Sequence, residues 1–194
     1  MNEQKHSAGT HGPVENNPTR SWVKFIIGWL VVFTIRLFPF RPPNVEGVMA
    51  TLMPFSKQYG PIAGFAFGFL SIALFDFALD ALGVWTLITG ASYGLLGVVA
   101  YFFLRKRASS RWNYFAFSFI GTLVYDALTG LSIGPLFFGQ SFMEALVGQV
   151  PFTLWHLAGN CAFALILSPA LERWVVGNEA LEYRALMGRF GRAA

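Results

Sequence analysis

Residues 61–104 read PIAGFAFGFLSIALFDFALDALGVWTLITGASYGLLGVVAYFFL, with Asp76 and Asp80 as the only charged residues among them. A second stretch, 112–171, carries only Asp126 and Glu144. Across all 194 residues, 12% are charged, 55% apolar and 17% aromatic, whereas a soluble domain has about 25% charged residues. So few charges cannot cover a surface for water. The reading is an all-α polytopic membrane protein, with no strand alternation of the barrel type. It excludes a soluble enzyme, a nucleic-acid binder and a secreted disulfide domain. The net charge of +4 does not argue for nucleic acid, because the basic residues gather in loops and tails that flank the apolar runs. The single cysteine, Cys161, cannot form an intramolecular disulfide.

A membrane span takes roughly 20 apolar residues. Five runs meet that: Trp22 to Phe40, Pro61 to Leu82, Trp85 to Leu104, Trp112 to Ile133 and Pro151 to Leu171. Pro61 suits a first helical position. Arg105-Lys106-Arg107, Gly134-Pro135 and Glu172-Arg173 are read as stops. Glu144 to Val150 extends the last helix outward, with Pro151 as its kink or its start. Val45 to Phe55 is apolar but short, and spanning, re-entrant and interfacial readings stay open. Residues 1–20 form a polar tail without the apolar core of a signal peptide. The helical domain is 21–174, and 175–194 is a second tail.

Basic residues favour the cytoplasmic side. With six helices and the N-terminus inside, only Arg36 and Arg41 fall outside. With five helices and the N-terminus outside, Lys5, Arg20 and Lys24 join them. Both counts place 105–111 and the C-terminal tail inside, and the 82–85 and 134–142 loops outside. An internal echo suggests a repeated helix pair: Phe65-Ala-Phe-Gly-Phe69 running to Phe75-Asp76 matches Phe115-Ala-Phe-Ser-Phe119 running to Tyr125-Asp126, at an offset of 50.

An ionisable residue within a span is costly, so it is expected to face protein or water. Asp80 reads as interfacial. Asp76 lies about a turn deeper, and Asp126 sits inside its helix beside Tyr125 and Thr129. For both, a buried packing role and a functional role stand side by side. On the last helix Gln149, Phe152, His156, Gly159 and Asn160 fall on one face, bordered by Trp155. No tight cluster of ligand residues suggests a metal. Cys161 and His156 lie on different helix faces, which argues against a nucleophile pair. Gly60, Gly64 and Gly68 form a strip that allows close backbone approach, either within the chain or as a docking face for a partner. Arg36 and Arg41 stand open to snorkelling to headgroups, to pairing with Glu46 and to contact with an anionic group on a ligand, and the local pairing is favoured.

The run Phe38-Pro-Phe-Arg-Pro-Pro-Asn44-Val-Glu46-Gly-Val-Met-Ala, then Gly60-Pro61-x-x-Gly64-Phe-x-x-Gly68, resembles substrate-capture (S) components of energy-coupling-factor (ECF) transporters. Leu74-Phe-Asp76, Tyr125-Asp126-Ala-Leu-Thr129 and Pro151-Phe-Thr-Leu-Trp-His156-Leu-Ala-Gly159-Asn160 continue the pattern, which covers about Trp22 to Trp174. The resemblance implies a six-helix bundle with a short second helix and both termini cytoplasmic. It also implies a micronutrient pocket open to the outside, built from the external loops that hold Asn44 and Glu46 and from the last three helices. Its partners are a coupling membrane protein and two ATPase subunits, and no phosphate-binding loop of G-x-x-x-x-G-K-[ST] type occurs in this chain. The Ala-x-x-x-Ala strip that many S components carry on helix 1 is absent, and Gly60/64/68 stands in as the docking face.

The resemblance does not name the substrate. Asp76, Asp126, Glu46 and Glu144 make the outer half acidic. Trp85, Trp155, Phe152 and Tyr125 offer faces for stacking or cation–π contact. Gln140, Gln149, Asn160 and His156 offer hydrogen bonds. Together they suit a planar, nitrogen-rich or cationic vitamin or nucleobase-like molecule. The chain is then a transport subunit with no cofactor or metal of its own. The alternatives are an integral membrane enzyme using Asp76, Asp126 and His156, or a scaffold subunit without a small ligand.

Overall fold

The computed structural model describes residues 21–42, 44–183, 185 and 187; the tail expected over 1–20 and most of 184–194 lie outside them. Six helices follow one another: α1 (Trp22–Leu37), α2 (Val48–Tyr59), α3 (Pro61–Ala78), α4 (Val84–Leu104), α5 (Arg111–Phe138) and α6 (Phe142–Leu171). A turn of π-helix over Glu172–Val176 and a 3-10 turn over Glu179–Leu181 follow α6. There is no strand among the described residues. The protein is an all-helical membrane bundle. α3, α4, α5 and α6 with its extension to Val176 are long and apolar enough to cross a membrane.

Helix ends are set by local chemistry. Gly60, at φ 94°, lets α2 stop and α3 start with one residue between them, and Pro61 takes the first helical position as expected. α5 runs through Gly134-Pro135, which had been read as its stop. It ends where Gly139 adopts the left-handed backbone at φ 65° and its N–H bonds back to Gly134 O. Ser141 and Glu144 form a reciprocal cap that starts α6 at Phe142. Pro151 therefore lies inside α6, and Glu144 serves as a cap on the exposed surface instead of adding charge to a pocket.

The short α2 resolves the open reading of 45–55. Its 12 residues span about 18 Å, well under the roughly 30 Å of a bilayer core. Every residue from Val48 to Ser56 is buried, the mark of a helix apolar on all sides and sheathed by others. Phe55 stacks on Phe67 at 4.6 Å and meets Phe25 edge-on at 5.0 Å. α2 thus fills the core at one end of the bundle. At the other end the irregular segment 38–47 takes its place.

The two ends differ in charge. Lys24, Lys57, Arg105, Lys106, Arg107, Arg111 and Arg173 lie at the α2-filled end, and Arg36 and Arg41 at the other. At the basic end Lys24 is buried. Its Nζ donates to Val176 O at 2.9 Å and faces Glu182 at 3.5 Å. The segment after α6 therefore packs back onto α1. Lys57 pairs with Glu172 at 3.6 Å and donates to Ser109, tying α2, the α4–α5 loop and the end of α6 together.

The offset of 50 recurs in the packing. The buried residues of α3 are Gly64, Phe67, Gly68, Ser71, Ile72 and Phe75. Each has a buried counterpart in α5: Tyr114, Phe117, Ser118, Gly121, Thr122 and Tyr125. α3 packs chiefly on α4, and α5 chiefly on α6. The bundle therefore contains two helix pairs of matching design.

Candidate functional site

The site lies at the end where α2 stops short. A cavity of about 80 Å³ is lined by Arg36 from α1, Glu46 from the segment before α2, Ile72 and Asp76 from α3, Trp85 and Thr89 from α4, and Tyr125 from α5. Glu46, Asp76, Trp85 and Tyr125 were expected at a site, and the structure brings them together. Asn44 lies two residues from Glu46, half-buried at φ 63°, in the segment that borders the cavity.

Charge is held in this cavity by specific contacts. The Arg36 guanidinium sits 4.2 Å over the Phe75 ring, a cation–π placement. Its Nη1 stands 3.8 Å from Glu46 Oε2. The expected local pairing is thus an ion pair, though it is too long for a hydrogen bond. Arg36 Nε and Nη1 are buried with no acceptor among the described residues. Arg41 turns away and donates to Val45 O at 2.9 Å. Asp76 Oδ2 accepts from Thr86 Oγ1 at 2.7 Å, and that hydroxyl also accepts from Gly83 N–H at 3.1 Å. The α4 cap therefore fixes the orientation of Asp76. Asp80 lies beyond α3, exposed and at φ 54°.

Behind the cavity stands a second polar group. His156 Nδ1 and Asp126 Oδ1 are 2.7 Å apart, and both residues are almost wholly buried. Tyr93 OH is 3.4 Å from His156 Nε2. These partners assign the proton of a neutral imidazole to Nδ1, donating to the carboxylate, with Nε2 accepting from Tyr93. Tyr93 and Tyr125 pack with ring centroids 4.5 Å apart, and Tyr125 meets the His156 ring edge-on at 5.6 Å. Phe152 also meets the imidazole edge-on, at 5.7 Å. Tyr125, with Tyr93 packed against it, is the wall between the cavity and the Asp126–His156 pair. Asn160, one turn further along α6, donates to Thr122 Oγ1 at 2.9 Å with no exposure. Asp126, His156 and Asn160 therefore stiffen the wall from behind.

The remaining expected residues separate from the site. Trp155 is 54% exposed on the outer surface of the bundle, because it precedes His156 by one residue and so points about 100° away from it around the helix. Gln149 bonds Thr153 Oγ1 at 3.1 Å and covers Gly130, where a Cβ would overlap its amide. It lines a largely apolar groove between α5 and α6. The glycine strip also gives way as a docking face. Gly64 and Gly68 are buried against α4: a Cβ on Gly97 would overlap Gly64 O, and one on Gly68 would come 2.5 Å from Tyr93 O. Backbone-to-backbone packing leaves no surface there for another protein. Gly60 serves the α2–α3 turn.

Sequence reasoning missed Thr86, Thr89 and Tyr93 as site residues and favoured a local partner for Arg36 over contact with a ligand. The available signal for Arg36 was an arginine late in a largely apolar helix. Thr86 and Tyr93 had none, since hydroxyls are common in membrane helices.

Fold and site together define a helical membrane bundle with a small charged cavity at one end. Comparison with known proteins finds partial relatives. The chain is 34% identical over 83 residues to a UPF0397 protein of Lactococcus lactis subsp. cremoris (strain NZ9000), covering 43% of each chain. It is 35% identical over 81 residues to UPF0397 protein YdcD of Lactococcus lactis subsp. lactis (strain IL1403), covering 42% of each. The match thus spans less than half the length of these relatives, whose names state no activity. No family model matches the chain, and no solved structure matches it.

Proposed function

We propose that this chain is the membrane-embedded capture subunit of an ECF-type importer, binding a vitamin or related micronutrient from outside and delivering it inward. The observation that carries this reading is the cavity itself. Holding one guanidinium and two carboxylates half-buried at the end of an apolar bundle is costly, and Arg36 Nε and Nη1 stand there without a hydrogen-bond acceptor. The order of motifs from Phe38 to Asn160 and the short second helix support the S-component assignment. The skew of basic residues supports a cell-membrane protein with the basic end and both termini in the cytoplasm and the cavity facing outward. In this reading the chain is no enzyme. It works with a coupling membrane protein and two ATPase subunits, and neither a cofactor nor nucleic acid takes part.

The test is gentle purification of the tagged full chain from its host's membranes, with mass spectrometry of both small molecules and proteins. The expected result is a bound micronutrient and co-purifying coupling and ATPase subunits. A folded protein that carries neither would overturn the proposal. Conversion of a bound molecule would favour the enzyme reading.

A further inference from the structure

Resting on the capture-subunit reading, we infer that the Arg36–Glu46–Asp76 cavity selects a single-ring nitrogen heterocycle that carries an amino group beside a ring-nitrogen or carbonyl acceptor, an aminopyrimidine being the type. Three observations fix the class. The first is polarity. Arg36 Nε and Nη1 are buried donors without an acceptor, so the ligand brings an acceptor; an unmet buried donor otherwise costs its full desolvation. Glu46 and Asp76 line the same space and, when ionised, only accept hydrogen bonds, so the ligand brings donors as well.

The second observation is net charge. One guanidinium against two carboxylates leaves the cavity one unit negative. That disfavours carboxylate and phosphate ligands and tolerates a ring that protonates. The third is shape. Trp85 and Tyr125 supply aromatic faces, which suit a flat ring. The volume of about 80 Å³ makes this a small cavity. Its size favours a single ring over a fused multi-ring system or an acyl chain. Arg36 then reads the acceptor, and Asp76, held by Thr86, reads the amino group.

The test is equilibrium binding to the full chain in nanodiscs, with cytosine and 4-aminopyrimidine as probes and uracil, benzoate and toluene as comparisons. The inference expects saturable binding of the two amino-bearing rings, weaker uracil binding, and none of benzoate or toluene. Asp76→Asn keeps an acceptor for Thr86 and removes the charge. It should weaken the aminopyrimidines by roughly 10- to 100-fold while leaving thermal unfolding near wild type. Arg36→Lys should weaken them similarly, and Arg36→Gln serves as a second variant if the first is poorly folded. Preferred binding of benzoate, or binding indifferent to Asp76→Asn and Arg36→Lys, would overturn the class. If no probe binds the folded protein, the class is also overturned. The mass of any co-purified molecule then decides the wider reading: a bound molecule of another class leaves the capture subunit standing, and a bare protein removes both.

Discussion

The α3–α4 and α5–α6 pairs share a burial pattern at an offset of 50, yet they are held together by opposite means. In α3–α4 the helices touch through glycine: Gly64 meets Gly97, and Gly68 meets Tyr93 and Gly94, backbone against backbone. In α5–α6 larger side chains keep the helices apart and bond across the gap, through Asp126–His156 and Thr122–Asn160. The echoed aspartates follow the same division. Asp76 bonds a threonine of its own pair and lines the cavity, whereas Asp126 bonds a histidine of its own pair and stands behind the tyrosine wall. One helix-pair design thus yields a rigid support beside the cavity and a polar brace behind it.

The sharpest way to break this comparison is to insert a side chain into the glycine seam. Gly97→Leu has no space against the Gly64 backbone, and should cost more than about 4 kcal/mol, enough to prevent folding. Recovery of folded protein, read by size-exclusion profile and thermal unfolding, checks it. A normal yield and Tm would show that the seam is loose. The next largest effect falls on the polar brace. His156→Ala leaves the Asp126 carboxylate buried and unpaired, and should destabilise by about 3 kcal/mol. Asp126→Asn, which keeps an acceptor for Nδ1–H, should cost less. Thermal unfolding of both variants checks the order, and equal losses would contradict a hydrogen-bonded pair. Asn160→Ala removes one neutral bond and should cost about 1 kcal/mol, with a Tm fall smaller than for His156→Ala. Tyr93→Phe should be the mildest, within about 0.5 kcal/mol, because its bond to Nε2 is already long at 3.4 Å. A large loss there would show that the Tyr93–His156 bond is stronger than its length implies.

Much of the fold was legible because membrane spans are long apolar runs with charges at their ends. A proline misled the reading at Pro135, whereas Pro151 lies inside α6, as the reading of it as a kink allowed. Pro135 falls near the end of α5, where a proline removes a single backbone bond, and the helix closes instead where Gly139 goes left-handed. Asp76, Trp85 and Tyr125 were readable as polar or aromatic residues without reason to sit in lipid. That they share a cavity with Arg36 was not readable, since it depends on α2 ending early, and helix length within a bundle is set by what surrounds it. Trp155 was overcounted because neighbours in sequence on a helix do not share a face. The glycine strip was legible as a close-contact surface, but its occupant, α4 or another protein, is a tertiary fact.

The account rests on the cavity being a capture site. Native mass spectrometry of the full chain extracted gently from its host's membranes, wild type beside Asp76→Asn, tests that most directly. The account predicts a small-molecule adduct on the wild type that is lost or strongly reduced on the folded variant. An adduct of equal occupancy on both, or none on either, would contradict it.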